Sequence, residues 1–385
     1  FGCGASGDVI TFVRNTEHLS FVEAIERLAG RYGVQLQYDF DWWGKKRNSV
    51  EAALDQARSA QAQHAAAALA LQSSVADTYF GFLADRQRAL LAGELVANAE
   101  RMERIATVRV KQGVDLSDTV QQARSQVASA RQAKVAYEAS AAIRRAALAT
   151  LVGVAPADLP TLADRPLPAV DGALPAQASV DLIARRPDIA ASRWQVEAAL
   201  KQTDVARAQF FPDFSLTAMA GLSSIDMDKV FSGSSRVFGL TPALHLPIFE
   251  GGALEANYGY SKSQLDAAVA QYNATVVAAA REVATQALSA RQVADRRVQQ
   301  AAQVDAATRM VATSDARARQ GVRDAREALA ARAQLIQQRD GDMELQGQAL
   351  SADVALAKAL GGGYRADTGA GATQNDSTSH GAAQP

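Results

Sequence analysis

Two long stretches of the chain have the residue pattern of extended helices. In each, helix-forming residues run for about 60 positions without a proline, reach a Gln-Gly-Val turn, and continue for roughly 35 more. A helix of 60 residues would be roughly 90 Å long, a length that no compact globule needs. In the first returning run, apolar residues keep heptad a and d positions, which predicts a seam buried against a partner helix. These residues are Val120, Ala123, Val127, Ala130, Tyr137, Leu148 and Leu151.

The two stretches are copies of one unit. A shift of 208 positions aligns the chain with itself without gaps over more than a hundred residues, and places Gly44 on Gly252. The same shift superimposes the two Gln-Gly-Val sequences. Self-similarity at a fixed offset indicates a repeated structural unit. We therefore predict an internal two-fold repeat with copies at 40–153 and 248–361.

The segments between the copies alternate apolar and polar residues with the period of a β-strand. One spans 210–224 and the other 238–248. Such alternation over about ten residues is the weak signature of a barrel strand with lipid on one face and water on the other. The alternative is a soluble hairpin that packs one face on a core, although two strands beside long alanine-rich helices have little else to pack on. Leu36, Tyr38 and Phe40 alternate in the same way and fall, under the shift, on Leu244, Leu246 and Ile248.

Aromatic residues cluster where the predicted strands meet the helices, as in the interfacial girdle of a membrane barrel. Because about eight strands are the minimum for a closed barrel, such strands require oligomerisation. The predicted strand and girdle residues are Trp42, Trp43, Phe210, Phe211, Phe214, Leu216, Leu244, Leu246 and Phe249, with Tyr258 beside them.

Composition narrows the function classes. The formal net charge of −1 gives no electrostatic reason to expect nucleic-acid binding. No apolar run approaches the roughly 18–20 residues of a transmembrane helix, which leaves a soluble chain or one that enters a membrane through strands. The single cysteine and four scattered histidines do not make a metal site. No catalytic motif is present, so we expect no enzyme activity, no catalytic residue and no cofactor.

Four motifs, in order along the chain, resemble one family. They are RRPDIAASRWQVEAALKQTDVARAQFFPDFSLTAMAGLSS, LPIFEGGAL, ARQGVRDAREALAARAQL and KALGGGY, at 185–224, 246–254, 318–335 and 358–364. Over 40–364 the chain resembles the TolC/OprM-like outer-membrane efflux channels, of the NodT-type branch that includes lipoproteins. The resemblance implies a mainly α fold with a small membrane β part, in which long helical hairpins form an α-barrel below β-barrel strands.

The resemblance also implies a function. A homotrimer with a twelve-stranded barrel in outer-membrane lipid would extend into the periplasm of a Gram-negative bacterium. It would serve as the passive exit duct for small molecules and drugs, together with a periplasmic adaptor and an inner-membrane RND pump. This chain would supply about three strands per protomer instead of four, because the first repeat looks truncated.

The family places an RxxxGV-type motif at its helix-hairpin tips, where the channel meets the adaptor. The matching positions here are Arg109, Gln112, Gly113 and Val114 in the first copy, and Arg317, Gln320, Gly321 and Val322 in the second. Glycine suits such a reversal because it tolerates positive φ. Charges beside the second tip are candidate ion-pair gates between protomers, with an ordinary solvated helix end as the alternative. The candidate gate charges are Asp315, Arg319, Arg323 and Asp324.

The first forty residues differ from the rest. Residues 1–38 resemble the end of a DnaG-type primase zinc-binding domain, but Cys3 is the only ligand that remains. The alternative function is therefore a primase-derived nucleic-acid-binding fragment fused to a coiled-coil region, and a soluble coiled-coil adaptor is a third hypothesis. The predicted domains are 1–38, then 39–364 with repeat one at 40–153, a connector at 154–178 and repeat two at 179–364, then a disordered tail at 365–385.

Overall fold

A computed structural model describes residues 34–170, 185–222, 236–322 and 324–364. Most of the primase-like segment, the predicted start of repeat two at Ser179, Arg323 and the tail from Arg365 lie outside these ranges. In chain order the elements are β1 (Val34–Phe40), α1 (Lys45–Lys111), α2 (Ser117–Val152), α3 (Pro187–Ala208), β2 (Asp213–Leu222), β3 (Arg236–His245), α4 (Ala253–Arg319) and α5 (Ala325–Ala359).

The helix bounds confirm the two-fold repeat. Helices α1 and α4 each have 67 residues, and their first residues, Lys45 and Ala253, are one repeat apart. Helices α2 and α5 follow with 36 and 35 residues. Each long helix begins after a glycine with positive φ, 75° at Gly44 and 82° at Gly252. The Asp41 carboxylate also accepts backbone N–H bonds from Lys46 and Arg47, which caps α1.

The chain forms two compact units. The first comprises Phe1–Arg58 and Arg193–Gln271, and the second comprises Ser59–Ser192 and Tyr272–Pro385. The first unit contains the sheet, where β2 lies between β1 and β3 and pairs with both in the antiparallel sense. Helix α3 packs beside the start of α4 in this unit, where Thr203 donates a hydrogen bond to the Ser261 carbonyl at 3.3 Å.

The strand register places apolar residues on one face of the sheet. Phe214 of β2 lies between Phe40 of β1 and Leu244 of β3, and the period-2 alternation carries the pattern along all three strands. The apolar face therefore comprises Leu36, Tyr38, Phe40, Phe214, Leu216, Ala218, Ala220, Phe238, Leu240, Pro242 and Leu244. The opposite face carries Gln37, Asp39, Ser215, Thr217, Met219, Thr241 and His245.

The end of β3 differs from the prediction. The strand stops at His245, so Leu246 and Ile248 lie in the connection to α4 and are not strand residues. Pro247 lacks the backbone N–H that a ladder needs, and the Ile248 N–H bonds back to the Leu246 carbonyl at 3.0 Å. The 208-residue shift places Phe40 on Ile248, but in the sheet it is Leu244 that lies level with Phe40, because both pair with Phe214 of β2. The repeat offset therefore holds for the helices and not for the strands.

In the second unit the helices pack through small residues and a modest apolar core. Phe82, Leu83 and Ala84 of α1 are buried with Ala141 and Leu148 of α2, Leu350 of α5 and Leu167 of the connector. Five residues of the predicted heptad seam are buried on α2: Val120, Ala123, Val127, Ala130 and Leu148. Alanine lets helix backbones approach closely, which explains how an alanine-rich chain builds a core without many large side chains.

Candidate functional site at the hairpin tips and the sheet

Both hairpin tips use the same backbone turn. Gly113 has a φ of 71° and Gly321 a φ of 70°, conformations that favour glycine. At the first tip, the Gly113 N–H donates to the Val110 carbonyl at 3.0 Å and the Val114 N–H to the Arg109 carbonyl at 2.9 Å. The second tip repeats both bonds one repeat later, at 3.1 and 3.0 Å. This is the Schellman arrangement that closes a helix C-terminus.

Four charged side chains join the two tips. Arg109 donates to both carboxylate oxygens of Asp115, at 2.8 and 3.0 Å. Arg326 donates to Asp115 at 2.9 Å and to Asp324 at 2.8 Å, while Arg109 lies 3.6 Å from Asp324. We call Arg109, Asp115, Asp324 and Arg326 the tip network. It is a closed cycle of alternating charges, two from each hairpin.

The tip network keeps its carboxylates ionised. The hydrogen bond from Arg109 is the main reason that the pKa of Asp115 lies below its ordinary value. For Asp324, the Arg326 backbone N–H has the same effect on the pKa, and this bond also caps α5. Hydrogen bonding to Asp115 in turn raises the pKa of Arg109. Arg109, Asp115 and Asp324 are therefore charged at neutral pH.

The two motif arginines are in different surroundings. Arg109 is bound within the tip network. Its repeat counterpart, Arg317, is exposed, and no carboxylate in the described part of the chain pairs with it. The position one repeat after Asp115 is Arg323, a cation instead of an anion. The predicted tip residues Gln112, Val114, Gln320 and Val322 are exposed in the turns, as a contact surface would require.

The structure places the candidate gate charges as follows. Asp315 accepts from Arg332 at 2.8 Å, and Asp324 belongs to the tip network. Arg319 is exposed and its Nε donates to the Asp315 backbone carbonyl at 3.2 Å. Arg323 lies outside the described residues. Of the three described candidates, Asp315 and Asp324 thus form ion pairs with arginines of the same chain. The role of the four charges as gates between protomers stays a prediction.

The predicted girdle residues form two pairs at the helix ends of the strands. Trp43 stacks on Phe211 with ring centroids 4.5 Å apart, and Trp42 contacts Phe214 at 4.4 Å. Trp43 also donates from Nε1 to the Pro212 carbonyl at 3.0 Å. Phe249 is 89% exposed and does not join these pairs. Two further aromatic residues, Phe210 and Tyr258, meet edge to face at 6.1 Å.

The apolar face of the sheet is open. Phe238 and Leu240 of β3 are 77% and 68% exposed, and Tyr38 of β1 is 64% exposed. Contiguous exposed apolar surface of this kind marks a membrane or protein interface. Among the described helices, none has the length and apolar content needed to cross a membrane.

Sequence reasoning missed three residues with central contacts. Asp115 and Arg326 close the tip network. The sequence does show that Asp115 is an acid two positions after Gly113 and that Arg326 is a base two positions after Asp324, and this spacing could have identified them. Arg186 is the second residue of the motif at 185–224, and the sequence predicts no role for it. It is buried and donates to Asp188, to Glu282 and to the Ala359 carbonyl at the end of α5.

Two long helical hairpins with the same tip turn, and a sheet with an exposed apolar face, are the features expected of a membrane channel subunit. The sequence matches the family described as Outer membrane efflux protein over residues 14–154 and 178–362. That match includes more than half of the chain, and it begins inside the segment that resembles a primase domain. The chain belongs to the outer membrane efflux protein family.

Individual relatives agree with this assignment. The multidrug resistance outer membrane protein MdtP of Escherichia coli K12 is 32% identical over 334 residues, which cover 87% of this chain and 68% of MdtP. The toluene efflux pump outer membrane protein TtgF of Pseudomonas putida is 33% identical over 346 residues, 87% of this chain and 71% of TtgF. The crystal structure of the outer membrane protein VceC of Vibrio cholerae superimposes with a TM-score of 0.74 at 30% identity, over 86% of this chain and 80% of VceC.

The chain is therefore a subunit of an outer-membrane efflux channel that extends into the periplasm. It is a passive transporter and not an enzyme. The TolC-like fold class predicted from the sequence is confirmed, including its long helical hairpins and its two-fold repeat.

Proposed function

We propose that the chain is the exit duct of a three-component export system, as a homotrimer that receives cargo from an inner-membrane RND pump through a periplasmic adaptor. The observation that carries this proposal is the open apolar face of the sheet in a member of an efflux channel family. Small hydrophobic compounds and drugs are the cargo class, by analogy with the multidrug and toluene efflux relatives.

The sheet supports the trimer. Within the described ranges β2 is paired on both sides, while β1 and β3 are each paired on one side only. Strand edges of this kind need partners, and hydrocarbon does not supply hydrogen bonds. Three copies of three strands would exceed the roughly eight strands that a closed barrel needs. The predicted girdle residues would then lie at the lipid boundary.

The tips support adaptor docking. Both turns expose the glutamine and valine of the repeated motif, and Arg317 is exposed beside the second turn. The motif residues of the two tips would form the surface that meets the adaptor: Arg109, Gln112, Gly113, Val114, Arg317, Gln320, Gly321 and Val322. Because Arg109 is held by Asp115, we expect its contribution to be the positioning of the first tip.

The test uses two adjacent strand residues on opposite faces. The chain is produced in a Gram-negative strain that lacks its main drug-export channel, extracted from the outer membrane with detergent, and sized. Leu240→Arg puts a cation on the apolar face, where burial at the bilayer midplane costs about 2–4 kcal/mol. We expect this variant to be depleted from the outer membrane. Thr241→Arg is the matched control on the opposite face and should accumulate normally as an oligomer.

Drug tolerance of the same strains is the functional readout. The wild-type chain and Thr241→Arg should raise tolerance, and Leu240→Arg should not. Equal behaviour of the two variants would show that the apolar face does not meet lipid. A wild-type chain that stays monomeric in the aqueous fraction would overturn the proposal for this chain.

A further inference from the structure

A groove lined by arginines lies next to the second tip. It has a volume of about 640 Å³ and is bounded by the C-terminal parts of α1 and α4 and the first turns of α5. Four guanidinium groups line it, and Asp315 is the one carboxylate among its lining residues. We call it the arginine groove; its cations are Arg101, Arg104, Arg319 and Arg332.

The positive charge of the groove is mostly unbalanced. Asp315 is engaged by Arg332 at 2.8 Å. No carboxylate in the described ranges pairs with Arg101, Arg104 or Arg319. Like charges in one groove repel each other, so an anion that entered would relieve this repulsion.

The nearest acids on α1 are directed elsewhere. Glu100 pairs with Arg131 of α2 at 2.8 Å, and Glu103 pairs with Arg124 of α2 at 3.2 Å. Their side chains stabilise the first hairpin and do not neutralise the two arginines beside them in the sequence. Within the described ranges, Arg101, Arg104 and Arg319 therefore have no carboxylate partner.

The second copy of the repeat shows how the same positions look when the charge is balanced or absent. Arg309 is the counterpart of Arg101 and pairs with Asp305 one turn earlier, at 2.8 Å. In the first copy Ala97 stands at the place of Asp305. The counterpart of Arg104 is Ala312, which has no charge. The excess of positive charge is therefore particular to this groove and is not a property of the repeat.

We propose that the arginine groove is the docking site for an acidic segment of the periplasmic adaptor, which rests on the proposed function. The guanidinium fork matches the two oxygens of a carboxylate, and such charge-assisted pairs are stronger than neutral hydrogen bonds. Arg319 and Ala318 directly precede the Gln320-Gly321 turn, so the groove continues the exposed surface of the second tip. Ile105 and Leu329 provide apolar contact for the methylene groups of glutamate side chains.

The test measures binding of a fluorescent hexaglutamate peptide to the full chain, purified in detergent, by fluorescence anisotropy. We expect saturable binding that weakens as salt is added. Arg101→Glu should weaken it by about tenfold. Arg309→Glu is the matched control: it makes the same charge change at the repeat counterpart and should leave binding within about twofold. Arg104→Gln serves as a second groove variant if Arg101→Glu fails to assemble.

A cationic peptide and a small anion serve as controls for the kind of ligand that the groove binds. Hexalysine should not bind, and inorganic pyrophosphate should compete weakly or not at all. Binding of pyrophosphate without the peptide would overturn the docking proposal in favour of a small-anion site. Equal loss in Arg101→Glu and Arg309→Glu, or no binding to the wild-type chain, would overturn it as well.

Outer-membrane insertion and oligomer size of the same preparations distinguish this proposal from the proposed function. If the wild-type chain inserts as an oligomer but does not bind the peptide, only the docking proposal fails. If it does not insert, the proposed function fails whatever the peptide does.

Discussion

The first and second hairpins have nearly the same backbone but different charges. Their tips close with the same two hydrogen bonds around Gly113 and Gly321. Yet the residue that follows the first turn is Asp115, and the second copy has Arg323 there. The turn requires only one residue that tolerates positive φ. The side chains around that residue can therefore differ between the two copies. At the first tip Arg109 binds Asp115, whereas at the second tip Arg317 and Arg319 stay exposed.

The two helices of the second hairpin also differ in burial. Ten residues of α5 are buried, but only Ala279, Val283 and Ala307 are buried among the described residues of α4. Helix α5 is also tied to the first hairpin through Arg88 of α1. This guanidinium donates to both oxygens of Asp340 at 2.8 and 2.9 Å and to the Tyr137 hydroxyl at 2.8 Å. The first hairpin therefore holds α5 by polar contacts as well as by apolar packing.

The largest expected effect comes from removing this tie. Burial opposes the charge on Arg88, but the hydrogen bonds to Asp340 outweigh it and raise the pKa of the guanidinium. Arg88 is only 17% exposed and also pairs with Glu344 at 3.1 Å. Arg88→Met would leave two acids without their cation and should lower the unfolding free energy by about 2–3 kcal/mol. Heating in detergent, followed by far-ultraviolet circular dichroism, measures the change.

The repeat supplies the control for this variant. Arg296 is the counterpart of Arg88, is exposed, and donates a single hydrogen bond to Gln348 at 3.2 Å. Arg296→Met should change the unfolding free energy by no more than about 0.5 kcal/mol. Similar losses in the two variants would mean that the first hairpin does not hold α5 through this contact.

A smaller and equal effect is expected at the two turns. Alanine at Gly113 or Gly321 would have a Cβ with no heavy atom within 4 Å, so the substitution creates no clash. The cost is the positive φ alone, about 1–2 kcal/mol at each tip. Thermal unfolding of Gly113→Ala and Gly321→Ala should therefore give the same shift. If one shift were clearly larger, the surrounding charges would contribute to the turn, contrary to the independence of backbone and side chains described above.

Much of the fold is readable from the sequence because it depends on local signals. Proline-free runs, the Gln-Gly-Val turns and the glycines at the helix ends predict the four long helices and their repeat. The heptad seam of α2 is also local, since each buried position follows from spacing along one helix. The strand register is different. The shift that aligns the helices places Phe40 on Ile248, but strand ends depend on pairing, and Pro247 ends β3 early.

The candidate site is less predictable for the same reason. The motif identifies Arg109 and Arg317 as equivalent, and nothing in the motif says that only one of them is paired. That difference arises from Arg326 and Asp115, which are 211 positions apart in the chain and meet at the tip. The arginine groove likewise combines α1 with α4 and α5. Contacts between distant segments are set by packing, which residue periodicity does not record.

The smallest expected effect is a local opening of the tips at acidic pH. Asp115 has a pKa below its ordinary value, so its contribution is complete above the pKa of an unfolded aspartate, about 4, and is lost as the pH falls through the lowered value. Spin labels at Gln112→Cys and Gln320→Cys, with Cys3→Ser, report the distance between the two tips by pulsed electron resonance. The distribution should be narrow near neutral pH and broaden below about pH 4.

A variant without the acid separates this cause from general acid unfolding. Asp115→Asn removes the charge that Arg109 and Arg326 share, so its tips should already be broadened near neutral pH, with the helical circular dichroism unchanged. Gln126→Glu, on the exposed surface of α2, controls for a change of charge elsewhere on the first hairpin and should leave the distribution narrow. If the distance distribution of Asp115→Asn stayed narrow at neutral pH, apolar packing of the helices, and not the tip network, would hold the tips together. The charge difference between the two hairpins would then matter only for binding of the adaptor.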